Sequence, residues 1–307
     1  MNVKTDNSGG RRIACIINPY AANKRWQRNR LLRSYVQKKL PGEYVDAQKG
    51  KQHTIQKARE LCRSHDVIVA AGGDGTIADV IQGIIESGHQ ENVALGIIPL
   101  GSGNAFRISM DIPLSISRAI KIIQTGQTKK IDLIQIEDKA ATFGSVGATA
   151  QVLVEKLKHT IPGFLGHILA SRIMTRLSRK RQEVDLYDGI DDSGSRFEHK
   201  HLRLKVFDCF IGKSRYFGYG WKMAPRARID DGFVDATFFE ISSLKFMLYF
   251  PGIYFGTFQK TQPHYKAKRM VIKGTNLPVQ YNGELLGKRD QIEVKILPKA
   301  LKVICPL

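Results

Sequence analysis

The sequence predicts an α/β protein, with an α/β domain in its first 130 residues and a β-rich domain after it. Three short apolar strands, at 13–17, 66–71 and 93–98, each run into a polar, turn-forming loop. The loops are Asn18-Pro19, Gly72-Gly73-Asp74-Gly75-Thr76 and Pro99-Leu100-Gly101-Ser102-Gly103-Asn104. Between the strands lie segments with apolar residues at helical spacing. Strands that alternate with helices usually lie parallel in one sheet, so all three loops open at its carboxyl edge, where ligands of such sheets bind. From Ile131 onward the pattern changes to strands.

In chain order, residues 1–10 are polar and predicted to be disordered. The first strand is followed by a helix over 26–40, stopped by Pro41-Gly42, and a second over 54–64. After Thr76 the residues Ile77, Val80, Ile81, Ile84 and Ile85 mark a helix over 77–86, and a fourth spans 116–124 before Gly126. Strands follow at 131–136, 203–211, 233–239, 270–272 and 292–296. The longest loop is 188–195, with Asp191-Asp192-Ser193-Gly194 as a turn. A chain of 307 residues with 42% hydrophobic content has enough material for two cores, giving domains at 11–130 and 131–307. The last few residues are free to return to the first domain.

The turn from Gly72 to Thr76 carries the sharpest chemistry. Gly72, Gly73 and Gly75 lack Cβ, so the backbone can take positive φ and bring its N–H groups close to an anion. The helix that follows points its positive end at the same spot. Asp74 is then a candidate for catalysis or metal contact. The bland alternative is a tight strand-to-helix connection, which also uses glycine.

These residues resemble the diacylglycerol kinase catalytic-domain family, which includes bacterial lipid kinases and sphingosine and ceramide kinase relatives. The resemblance covers nearly the whole chain. It rests on Asn18-Pro19, G-G-D-G-T at 72–76, P-L-G-S-G-N at 99–104 and A-P-R-A-R-I-D-D-G-F-V-D at 224–235. It implies an N-terminal three-layer α/β nucleotide-binding domain, a C-terminal β-sandwich and a site in the cleft between them. The implied activity is transfer of the γ-phosphoryl group of ATP, with Mg2+, to the hydroxyl of a lipid such as diacylglycerol, ceramide or a sphingoid base. Such transfer needs mainly positioning, charge neutralisation and an acceptor for the hydroxyl proton. The implied nucleotide site is Asn18, Pro19, Tyr20, Ala21 and Ala22, then Gly72, Gly73, Asp74, Gly75 and Thr76, then Gly101, Ser102, Gly103 and Asn104. Asp74 either orients the phosphates through magnesium or acts as the base. A structural Mg2+ is implied at Asp231, with main-chain carbonyls of Arg228 and Phe233; the alternative there is an ordinary type I turn.

Two departures bear on activity. The first loop, usually N-P-x-S-G in the family, here reads Asn18-Pro19-Tyr20-Ala21-Ala22 and lacks a hydroxyl and a glycine. At 282–284 the family has Asp-Gly-Glu with the aspartate as proton acceptor, whereas this chain has Asn282-Gly283-Glu284. An amide is no general base near neutral pH. An engineered Asp→Asn form, a base at Asp74, and a weakened or inactive relative all account for this. Asn282-Gly283 also reads simply as a hairpin turn.

The formal net charge of +20 calls for an anionic partner. No nucleic-acid module is recognisable, so an anionic membrane surface is the expected one. Residues 161–182 read as a basic amphipathic helix whose end carries Arg172, Arg176, Arg179, Lys180 and Arg181; a surface helix that packs its apolar stripe on the second domain and leaves the basic end free gives the same pattern and is the favoured reading. The hydrophobic stretch 244–258 is another candidate to line the cleft or touch lipid. The four cysteines, Cys15, Cys62, Cys209 and Cys305, lack metal-ligand or redox spacing and read as buried thiols of a cytoplasmic, peripherally membrane-associated protein. The family often pairs through its second domain, so a homodimer is open. The readings that compete with a lipid kinase are a nucleotide- or lipid-binding regulator without activity, and a soluble kinase resembling NAD kinase.

Overall fold

A computed structural model describes residues 11–101, 105–158, 161, 163–218 and 220–307. The predicted disorder at 1–10 and three predicted nucleotide-site residues, Ser102, Gly103 and Asn104, lie outside the described residues. The first half runs β1 (Ile13–Ile17), α1 (Ala21–Arg28), α2 (Arg30–Lys39), β2 (Glu43–Asp46), α3 (Lys51–Leu61) and β3 (Val67–Gly72). It continues with α4 (Asp74–Ser87), β4 (Ala94–Pro99), α5 (Ala105–Ser109) and α6 (Ile116–Thr125). β3 pairs in parallel with both β1 and β4, and β1 pairs in parallel with β2. β3 and β4 are buried along their whole length because helices cover both faces of the sheet, which is why they read as unbroken apolar runs.

The second half begins with β5 (Gln127–Ile136), β6 (Lys139–Ala141) and β7 (Phe143–Gly147). There follow α7 (Ala148–Leu157), α8 (Gly163–Ser171), β8 (Lys180–Asp191), β9 (Arg196–Val206) and β10 (Asp208–Gly212). Then come β11 (Val234–Phe239), α9 (Ser243–Leu248), α10 (Phe250–Phe255), β12 (His264–Tyr281) and β13 (Glu284–Cys305). β12 and β13 form the long central hairpin, and the antiparallel strands around them enclose a second core with Phe238, Met270, Ile272 and Val294. At its far end β13 pairs in parallel with β4, Val303 opposite Leu95, so one continuous sheet joins the halves.

Several predicted elements are redrawn. The single helix expected over 26–40 is two, divided at Asn29, whose Oδ1 accepts from Leu32 N at 2.9 Å and caps α2. The strand expected over 203–211 is broken at Phe207 into β9 and β10. The predicted helix over 161–182 ends at Ser171, continues as a 3₁₀ turn, Arg172–Arg176, and by Lys180 the chain is already in β8. Its basic end is therefore not a helix terminus. All four cysteines are free and buried.

β10 opens on a fully buried carboxyl. Burial pushes Asp208 up to about 7, against the bonds it receives from Thr149 N at 3.1 Å and from the Thr149 hydroxyl. An unfolded aspartate titrates near ~3.9. The native protein therefore holds this proton over a higher range, and the stability it brings is complete below about 4 and lost as pH rises through about 7. Asp208→Asn, which keeps the acceptor and the neutral charge, should flatten the fall in melting temperature across that window.

Candidate active site

The parallel sheet brings the ends of β1, β3 and β4 together and stitches their loops. Asn18 N donates to Ala71 O at 2.9 Å, and Asn18 Nδ2 donates to Thr76 Oγ1 at 3.1 Å. Asn18 Oδ1 accepts from Tyr20 N at 3.0 Å, fixing the start of α1. The Gly72 carbonyl accepts from Leu100 N and Gly101 N, both at 3.0 Å. Pro19, Tyr20 and Ala21 thus lie beside the glycine turn, with Ala22 following in α1.

The glycines serve a different purpose from the one expected. None of Gly72, Gly73 and Gly75 has positive φ; Gly73 is extended at φ −99° and ψ −172°. At Gly72 a Cβ would stand 2.4 Å from Thr76 Oγ1, so close approach of the first helical turn excludes a side chain. Gly73 caps α4 with no side-chain acceptor, which leaves first-turn amides of the helix, together with its positive dipole end, to meet an anion.

Asp74 is the first residue of α4. Its Oδ2 accepts from Ala105 N at 3.0 Å and its Oδ1 from Phe106 N at 3.1 Å, so it also fixes the start of α5. Burial pushes the Asp74 carboxyl up, and these amides and the Arg107 charge bring it only part of the way back. Asn282 lies across from it, and both line one cavity of about 390 Å³. The rest of that cavity is mainly apolar, with Val152, Leu153, Met174, Trp221, Phe246 and Phe250 in its walls. Hence the hydrophobic stretch at 244–258 supplies two of its aromatic rings, from α9 and α10.

Asn282 and Gly283, at φ 46° and 81°, form the tight turn between β12 and β13. The Asn282 side chain is engaged through both its oxygen and its nitrogen. Oδ1 accepts from Thr142 N at 3.0 Å and Thr142 Oγ1 at 3.2 Å, while Nδ2 donates to Ala140 O at 3.3 Å. Glu284 points elsewhere, into an ion pair with Lys51 and a 3.2 Å bond from the Tyr281 hydroxyl. Nearby Asp79 is pushed up to about 7, by burial first and then by the Glu284 charge, with Lys51 opposing.

Asp231 and the Phe233 carbonyl, two of the three groups implied for structural magnesium, accept from a lysine ammonium. Lys213 Nζ donates to Asp231 Oδ1 at 2.5 Å and to Phe233 O at 2.6 Å, and Lys266 Nζ donates to Asp231 Oδ2 at 2.6 Å. Arg228 directs its guanidinium toward Asp230, 3.9 Å away. Sequence reasoning missed Lys213, Thr142 and Lys51. A lone lysine directly after the apolar strand Cys209-Phe210-Ile211-Gly212 was the one available signal for Lys213.

The basic cluster divides in two. Arg179 Nη1 donates to Glu240 O at 3.2 Å, and Lys180 Nζ to Thr275 O and Asn276 O. Arg172, Arg176 and Arg181 are exposed. Among the described residues no helix is long and apolar enough to cross a membrane.

Comparison with known proteins agrees with this architecture. The diacylglycerol kinase catalytic domain matches residues 12–136, and the YegS C-terminal NAD kinase beta sandwich-like domain matches residues 189–305. A probable lipid kinase YegS-like protein of Enterobacter sp. (strain 638) is 30% identical over 184 residues, 58% of each chain. A diacylglycerol kinase of Staphylococcus aureus (strain JH9) is 29% identical over 195 residues, 62% of this chain and 58% of that one. The chain thus spans a little under three-fifths of the length of these relatives. The crystal structure of a diacylglycerol kinase from Bacillus anthracis str. Sterne superposes with a TM-score of 0.71 over 97% of this chain and 98% of that one; at 17% identity it shows a shared fold. Residues 12–136 thus match the diacylglycerol kinase catalytic-domain family, and a domain of the YegS C-terminal kind follows in order along the same chain.

Proposed function

We propose that the protein is an ATP- and Mg-dependent lipid kinase that transfers the γ-phosphoryl group to a lipid hydroxyl at a membrane surface. The observation that carries this reading is the apolar cavity that is lined by Asp74 and Gly75 of the glycine turn and by Asn282 and Gly283 of the β12–β13 turn. Phosphates of Mg-ATP at the α4 N-terminus would lie beside a lipid hydroxyl whose tail fills that cavity. Asp74, at the head of α4 beside the cavity and held by two amides, takes the hydroxyl proton. Asn282, committed to Thr142 and Ala140, shapes the wall and takes no proton.

The cavity is rimmed for a membrane. Ile168 and Phe250 line it and are 48% and 40% exposed, and Leu165, Leu244 and Leu248 are exposed beside them. Arg172 and Arg176 are exposed at the two ends of the turn that carries the lining residue Met174. Each such charge near an anionic leaflet contributes about 1 kcal/mol, so Arg172→Glu with Arg176→Glu should weaken binding to anionic vesicles more than about tenfold at low salt. Co-sedimentation reads this directly, and equal binding by variant and wild type would remove this surface from the docking face.

Asn282 also favours a second reading, a nucleotide- or lipid-binding relative without turnover. Labelled-phosphate transfer from Mg-ATP to a panel of lipid alcohols in anionic vesicles decides between them. A labelled lipid product is expected; ATP binding with no product from any lipid would establish the second reading.

A further inference from the structure

Lys213 stands one residue past the end of β10, with its side chain 1% exposed. Besides Asp231 Oδ1 and Phe233 O, its Nζ lies 3.4 Å from Asp132 Oδ2. An ammonium has three N–H donors, and here two are hydrogen-bonded while a third oxygen stands at ion-pair distance. Two of the three oxygens are those that the family resemblance gives to a divalent ion. Magnesium demands close octahedral oxygen coordination and keeps several waters. Here the centre of the cluster is filled by a cation, and the second oxygen of Asp231 is taken by Lys266. The residues do not fit the metal.

We propose that the Lys213 ammonium is the built-in structural cation of this domain, occupying the place of a divalent ion so that the 229–233 turn is organised without bound metal. The same oxygens tie the turn to its surroundings. Asp132 Oδ2 accepts from Gly232 N at 2.7 Å and Asp132 Oδ1 from Lys299 N at 2.8 Å, so the ammonium neutralises a carboxylate that anchors both the turn and β13. Lys213 N donates to Thr142 O at 2.8 Å, and Thr142 holds Asn282. Ser214 Oγ meets Ser109 Oγ of α5 at 2.5 Å, across the two halves. A tethered cation cannot be diluted away, whereas a bound ion is lost as its free concentration falls.

The test uses the whole protein without nucleotide or lipid, which keeps it independent of the kinase reading. Wild-type melting temperature should be the same in excess EDTA and in millimolar MgCl2. Lys213→Met, which keeps the chain length and removes the charge, should melt roughly 10 °C lower in both, as expected when one partner of a buried ion pair is lost. A Mn2+ titration of the wild type, followed by electron paramagnetic resonance, should show no tight site, and it decides the matter even where the variant does not fold. A wild type that loses stability in EDTA, one tightly bound Mn2+ that disappears in Asp231→Asn, or a Lys213→Met that melts with the wild type would each overturn the proposal.

Discussion

Replacement of Asp74 by Asn should lower phosphoryl transfer by about 10²- to 10⁴-fold, the usual span for losing a general base, while the protein remains folded. Asparagine at this position keeps one acceptor for the Ala105 and Phe106 amides and turns an NH2 toward the other. That costs about 1 kcal/mol of stability, far less than the effect on rate. Initial rates with saturating lipid, beside a melting curve, separate the two effects. A rate within threefold of wild type would mean that the carboxylate holds α5 in place and handles no proton.

Asn282→Asp is expected to lower stability and to leave turnover without gain. One carboxylate oxygen inherits the two donors of Thr142, but the other replaces Nδ2 and faces Ala140 O at the 3.3 Å now spanned by a hydrogen bond. Two acceptors without a proton between them cost about 1–3 kcal/mol. Only the protonated acid restores the bond, which raises the folded-state pKa of the new residue. Its stability contribution is then complete below the unfolded value and lost as pH rises through the folded one. Melting curves across pH check the direction. A more than tenfold rise in turnover would instead show that position 282 is the base and that the present chain is a disabled enzyme.

The α/β half was legible because parallel strands buried on both faces read as unbroken apolar runs and end in recognisable loops. The convergence of Asn18, Thr76 and Gly72 follows from that topology alone. The glycine argument was legible in outcome but not in cause, since crowding by Thr76 rather than positive φ demands Gly72. Helix division at Asn29 was hidden because apolar periodicity continues across a capping residue whose role depends on one side-chain bond. Most of the cavity was illegible. Its walls come from α7, the 172–176 turn and α9–α10, segments distant along the chain that only the β framework brings together. Lys213 was hidden for the same reason, since it, Asp132 and the Asp231–Phe233 turn lie on three separate stretches of chain.

The pairing of β13 with β4 has a consequence for how the chain is made. While the polypeptide emerges from the ribosome, β4 can pair with β3 at once, but its other edge stays open until Lys302 and Val303 arrive. Roughly 200 residues separate the two, so at typical rates of synthesis the open edge persists for about 10–40 s. An open apolar strand edge is a template for pairing with other chains. The nascent first domain therefore carries an edge open to other chains for longer than its own size would require.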